Sequence, residues 1–207
     1  VYGTSLNVVG EFEFGSALDN SGDHITLLNP DGEILLDFIF GDDPPWPESA
    51  DGEGDSLVLL DPLAGPDHEA FTSWRSSSST GGNPGTDDRR TLVGDPFLDR
   101  DGDGISALLE HLLSTSDLRP DQLGDFLTWK QGVDGETELF LNFSLAARSV
   151  EFPGIEMSSN LREWNPVPAS PLFHEHLSAG RARYRWVLPA PRPSQRYFRI
   201  RVSQRTP

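Results

Sequence analysis

Twelve residues near the middle of the chain carry its clearest chemistry. Residues 99–110 read Asp99-Arg100-Asp101-Gly102-Asp103-Gly104-Ile105-Ser106-Ala107-Leu108-Leu109-Glu110, meeting the pattern D-x-[DN]-x-[DN]-G-x5-E at every required position. Acids spaced two apart wrap the carboxylates of Asp99, Asp101 and Asp103 round one point, and calcium is a hard cation that takes roughly six to eight oxygens. Gly104 permits the sharp turn, and Ile105 offers its backbone carbonyl. Ala107 has no side-chain oxygen and leaves its place to water. Glu110 closes the shell from the first turns of the helix that follows. Calcium is therefore the expected cofactor, held by Asp99, Asp101, Asp103, Ile105 and Glu110.

No catalytic constellation accompanies this loop. His174-Glu175-His176 would put two imidazoles on one face of a strand, but no third zinc ligand is placed by the sequence. His24, His68 and His111 stand alone. No G-x-S-x-G elbow exposes a serine nucleophile, and Gly81-Gly82-Asn83-Pro84-Gly85 lacks the Lys-Ser/Thr end of a phosphate loop. Asp42-Asp43 beside Pro44-Pro45-Trp46 reads as a turn rather than a pair of glycosidase carboxylates. Five tryptophans, Trp46, Trp74, Trp129, Trp164 and Trp186, offer either core packing or a platform on which sugars stack. The chain is thus not expected to be an enzyme.

Charge separates the regions on either side of the loop. The net formal charge is −17, with 19 acidic and 3 basic side chains in residues 1–98, but 8 acidic and 11 basic in residues 124–207. The acidic first region repels phosphate backbones, so no nucleic-acid partner is expected. The C-terminal arginines (Arg181, Arg183, Arg185, Arg196, Arg199, Arg201) recur mostly every second residue, as on the exposed face of a strand. Without cysteine there is no disulfide and no thiolate chemistry. No apolar run approaches the ~20 residues of a membrane span. The chain begins at Val1, and its one methionine is Met157, so it is expected to start inside a longer gene product.

Local patterns show what must position the loop. Residues 25–28 and 33–40 are β-prone and flank Asn29-Pro30-Asp31-Gly32, a hairpin signal. Strands are predicted at 56–60 and around Trp74-Arg75, and residues 81–91 read as a linker. Ile105, Leu108, Leu109, Leu112 and Leu113 fall on one helical stripe, ended by Pro120. Residues 138–143 alternate, with Leu139, Leu141 and Phe143 on one face. Residues 183–188 and 196–202 alternate charge with large apolar side chains, as half-buried antiparallel strands do.

Three resemblances sharpen this outline. Val93-Gly94-Asp95-Pro96-Phe97 is no entering helix, so the loop departs from a complete EF-hand. With Ser114-Thr115-Ser116-Asp117 after the helix, it resembles the calcium loops of dockerin and thrombospondin type 3 repeats of extracellular bacterial proteins. That resemblance implies a staple between modules in millimolar calcium, and hence export. Residues 15–27, Asp42-Asp43-Pro44-Pro45-Trp46-Pro47, residues 51–57, Trp74-Arg75-Ser76 and Gly81-Gly82-Asn83-Pro84-Gly85 resemble the C-terminal half of a bacterial lamin-tail domain, an immunoglobulin-like sandwich. The opening strands of that family would precede Val1. Residues 155–164 and Tyr197-Phe198-Arg199-Ile200-Arg201-Val202 are similar to a terminal β-sandwich of large bacterial surface proteins.

The expected fold is mainly β, with two immunoglobulin-like β-sandwich modules, the first incomplete, joined by a calcium loop with one short helix. The expected boundaries are residues 1–91, 92–123 and 124–207. The expected role is a non-catalytic, structural or adhesive accessory region at the C-terminus of an exported bacterial protein, extracellular or on the cell surface, with calcium stiffening the junction. Its expected partners are the upstream remainder of the same protein and a cell-surface polymer or polysaccharide. The alternative is a carbohydrate-binding module that targets an upstream hydrolase.

Overall fold

The computed structural model describes residues 17–19, 21–132, 135–148, 150–188 and 196–205. The chain is mainly β and divides into two compact units. Unit 1 holds residues 1–89 and 175–181, and unit 2 holds residues 90–174 and 182–207.

Unit 1 is built from two antiparallel pairs. Strands β1 (Asp23–Leu28) and β2 (Ile34–Phe40) form the hairpin that the turn residues predict. Asn29 closes the turn. Its side-chain oxygen accepts from the amides of Asp31 at 3.0 Å and Glu33 at 2.8 Å, while Gly32 takes the positive φ of 83°. Strands β3 (Leu57–Leu59) and β4 (Trp74–Ser76) make the second pair. Phe38, Trp46, His68 and Trp74 pack as an aromatic cluster, with Phe38 and Trp74 stacked at 5.8 Å and the Trp74 indole donating to the His68 carbonyl at 2.9 Å. Gly41 is fixed by this packing, because a Cβ there would lie 2.8 Å from the Trp46 ring.

The stretch 81–91 reads as a solvated linker by composition, yet part of it is pinned inside unit 1. Asp88 is 7% exposed and forms an ion pair with Arg75, which is 1% exposed. The carboxylate also accepts from the Ser78 amide and hydroxyl. Ser76 holds the 175–181 turn, donating to the Leu177 carbonyl at 2.8 Å and accepting from the Gly180 amide at 3.0 Å.

In unit 2, α1 (Ala107–Leu113) packs on a four-stranded sheet ordered β5 (Leu127–Gln131), β6 (Thr137–Ser144), β10 (Arg181–Leu188), β9 (Leu172–Leu177), of which residues 175–177 and 181 are assigned to unit 1. A three-stranded sheet runs β11 (Tyr197–Arg201), β7 (Gly154–Ser158), β8 (Asn165–Pro166). Ile105, Leu108, Leu112, Leu113, Leu139, Leu141, Phe143, Ile155, Trp186 and Leu188 share one core. The segment 92–123, expected as a joint of its own, supplies the helical wall of that core. The helix starts two residues later than its apolar stripe, because Ser106 has an extended backbone, with φ −76° and ψ 153°, and stands as the N-cap.

Two sequence patterns resolve differently in three dimensions. Phe140, on the second face of β6, is only 8% exposed, because Lys130 of β5 lies over its ring at 4.9 Å and His174 of β9 packs edge-on at 5.3 Å. The arginines of β10 are half-buried rather than free, with Arg183 donating to Asn142 at 2.7 Å and Arg185 to Glu138 at 3.1 Å across the sheet.

Candidate metal centre

The loop that opens α1 is shaped by its own carboxylates. Asp99 accepts from the Gly102 amide at 2.8 Å and the Gly104 amide at 3.0 Å. Asp101 accepts from Asp103 at 3.3 Å, and Asp103 from Ile105 at 2.7 Å. Both glycines have positive φ, 79° at Gly102 and 89° at Gly104, with open space where a side chain would stand. Glycine is therefore needed here for its backbone freedom and not for room.

Where an EF-hand has a helix, this loop is entered by a turn, with the Leu98 amide donating to the Asp95 carbonyl at 3.3 Å. That turn receives the amides that start α1. The Ala107 amide donates to the Leu98 carbonyl at 2.8 Å and the Leu108 amide to Pro96 at 3.0 Å. Ser106 sits at the N-cap but makes no side-chain cap bond. The helix start is thus held by the entering chain.

One ligand oxygen from each of Asp99, Asp101 and Asp103 lies within 4.8 Å of the others. Glu110 stands outside this group of three, yet it carries the strongest sign of a missing partner. It is 1% exposed, and neither carboxylate oxygen has a hydrogen-bond partner; one Asp101 oxygen is likewise buried and unpartnered. Burial first, then the charges of Asp101, Asp103, Asp117 and Asp121, push Glu110 up to about 7. Burial also raises Asp101. Unpaired carboxylates in low dielectric are costly, and a cation among them removes the cost. The donor set is all oxygen, which suits a hard metal ion and not zinc or copper.

Comparison with family models, with curated proteins and with solved structures finds no match. The site is read from its own geometry.

Asp117 and Asp121 are the acids that the loop pattern did not indicate. The Asp121 amide donates to Asp103 at 2.7 Å, and Asp117 pairs with Arg100 at 3.2 Å. Both follow the helix and return to its start past Ser114, a left-handed C-cap with φ 66°. Ser114-Thr115-Ser116-Asp117 marks that turn in the sequence, but no spacing rule assigns Asp121.

The histidine pair is divided between the units. His174, in unit 2, is exposed and packs edge-on against Phe140 at 5.3 Å. His176, in unit 1, is lowered to about 4 by burial. Among the described residues, the three aspartates are the only grouping of His, Asp and Glu close enough to hold a metal ion. The tryptophans divide too: Trp186 is core at 2% exposed and Trp74 is buried, whereas Trp129 is 67% exposed. No helix among the described residues is long and apolar enough to cross a membrane.

Proposed function

We propose that this chain is a non-catalytic accessory region of a larger exported bacterial protein, structural or adhesive in role and immunoglobulin-like in its modules. Calcium held by Asp99, Asp101, Asp103, the Ile105 carbonyl and Glu110 rigidifies the segment that follows the division at Arg89 and Arg90. The observation that carries this reading is Glu110, a buried carboxylate with no partner that feels the charges of four further acids. Bound calcium supplies charge neutralisation and cross-linking. The protein's own part is to orient oxygens from a glycine turn and a core-anchored helix.

Calorimetry on metal-stripped protein tests the site. Calcium at millimolar concentration is expected to give a one-site isotherm, and at a hundredfold excess over Kd it adds about 2.7 kcal/mol of stability. Asp101→Ala is expected to weaken binding at least about tenfold, since it removes a charged ligand. Absence of calcium heat, or unchanged binding in that variant, sinks the reading.

A second reading, carbohydrate recognition, is favoured by one groove in unit 2 of about 380 Å³. It is lined by Trp129, Trp164, Tyr197 and Arg196 among others. Arg199 already covers one face of Trp164 at 4.4 Å, which leaves exposed Trp129 as the free ring. On this reading Trp129→Ala abolishes retention on immobilised polysaccharides while leaving the urea midpoint unchanged. Equal retention of both proteins, or none of either, counts against it.

A further inference from the structure

The edge of β3 that no strand pairs among the described residues lies along a groove of unit 1, about 1140 Å³ and lined mainly by apolar side chains such as Leu18, Leu57, Leu59 and Leu63. Leu63 is 92% exposed and Leu18 50%. The direction of each backbone group on β3 follows from the ladder. The Ser77 amide donates to the Ser56 carbonyl at 2.8 Å, and the Leu60 amide to Ser73 at 2.9 Å, so Ser56 and Leu60 face β4. Antiparallel ladders alternate, which turns the N–H and C=O of Leu57 and Leu59 to the other side. Among the described residues nothing pairs with that edge. A row of unpaired donors and acceptors is a template for one kind of occupant, an extended polypeptide.

Arg75 lines the same groove but offers it no donor. It is 1% exposed and spends its Nη1 on Asp88 and the Ser76 carbonyl. Its Nε and Nη2 have no partner among the described residues, and both are buried, so an occupant of the groove does not reach them.

Charge selects the rest of the occupant. Residues 17–89 carry 16 acidic side chains against 2 basic ones, and Arg75 is already neutralised by Asp88. An acidic segment would be repelled and a basic one drawn in. We propose that this groove docks an extended, basic segment of a partner protein. The segment adds as a strand to the edge of β3 and packs alternate apolar side chains on the leucines.

The probe is a fluorescein-labelled peptide of alternating valine and glutamine with two lysines at each end, followed by anisotropy on the full chain. Saturable binding is expected. It should weaken at least about tenfold when alternate peptide nitrogens are methylated, which removes the edge bonds without touching the protein, and when each lysine becomes glutamate, which reverses the charge attraction. Leu59→Pro deletes an outward-facing amide, as edge strands tolerate, together with one groove leucine, and should weaken binding more than Leu59→Ala, which deletes the side chain alone. Amide exchange supplies the control: the Leu57 and Leu59 amides should exchange fast in the free chain and slow in the complex. Absent binding, or binding indifferent to N-methylation, overturns the proposal. So does protection of both amides before peptide is added, because the edge is then already covered. Dimerisation through Leu57 and Leu59 makes a second copy the occupant and also overturns it.

Discussion

Metal-stripped protein is expected to lose stability as pH rises from about 5 to about 8, and calcium is expected to reverse that loss. The cause is Glu110. Its folded value lies near 7 against an ordinary value of 4.5, so between these limits the folded chain keeps a proton that the unfolded chain has released. A raised carboxylate is thus neutral at no cost below pH 4.5, becomes progressively destabilising up to about 7, and stays so above it. The shift corresponds to an effect on the order of 2 to 3 kcal/mol. His111 and His176 slope the other way, since burial lowers both and charging them on acidification favours unfolding. The informative quantity is therefore the difference between wild type and Glu110→Gln in urea melts across this range. Without calcium, Glu110→Gln is expected to be the more stable protein at pH 8 and to match wild type near pH 4. With millimolar calcium the order inverts, because only wild type gains a ligand contact. Superimposable pH profiles of the two proteins remove Glu110 from the site, and so does a calcium effect that survives the substitution.

The loop was legible because its chemistry is local. Three aspartates two apart and a glycine at the sixth place fix the turn by themselves, and the structure brings the three side chains together within 4.8 Å. What could not be read depends on the chain returning. Asp121 reaches the loop only after the helix and its left-handed cap have reversed direction, and its contact to Asp103 is through a backbone amide that any residue type supplies. The strands show the same division. The Asn29 to Glu33 turn announces its hairpin through its own hydrogen bonds. The burial of Phe140 on the second face of β6 follows from Lys130 and His174, side chains that other strands bring over its ring, and alternation along a single strand carries no such information. Arg75 and Asp88 are the extreme case. Thirteen residues apart, one sits in a three-residue strand and the other in a stretch whose glycines, proline and charges describe a linker, yet each ends almost wholly buried against the other.

That pair carries the second large effect. Asp88→Ala is expected to destabilise unit 1 by about 3 to 5 kcal/mol, the cost of leaving a buried charge without its counter-ion. Asp88 is bound on several sides, by Arg75, by the Ser78 amide at 3.0 Å and by the Ser78 hydroxyl at 2.9 Å. Truncating it strands the Arg75 guanidinium, whose only remaining contact is the Ser76 carbonyl at 2.9 Å. It also frees the 78–88 segment, because both ends of that segment meet at this carboxylate. Replacing both partners by apolar side chains, as in Arg75→Met with Asp88→Leu, should recover most of the loss, since no charge then stays buried. The reporter is the cluster of Trp46 and Trp74, which belongs to unit 1, so its fluorescence follows that unit through a urea titration. A loss below about 1 kcal/mol in Asp88→Ala would show that the pair is solvated in the protein. A large loss in the single variant with recovery in the double keeps both the pair and the unmet edge of Arg75 as buried features of the fold.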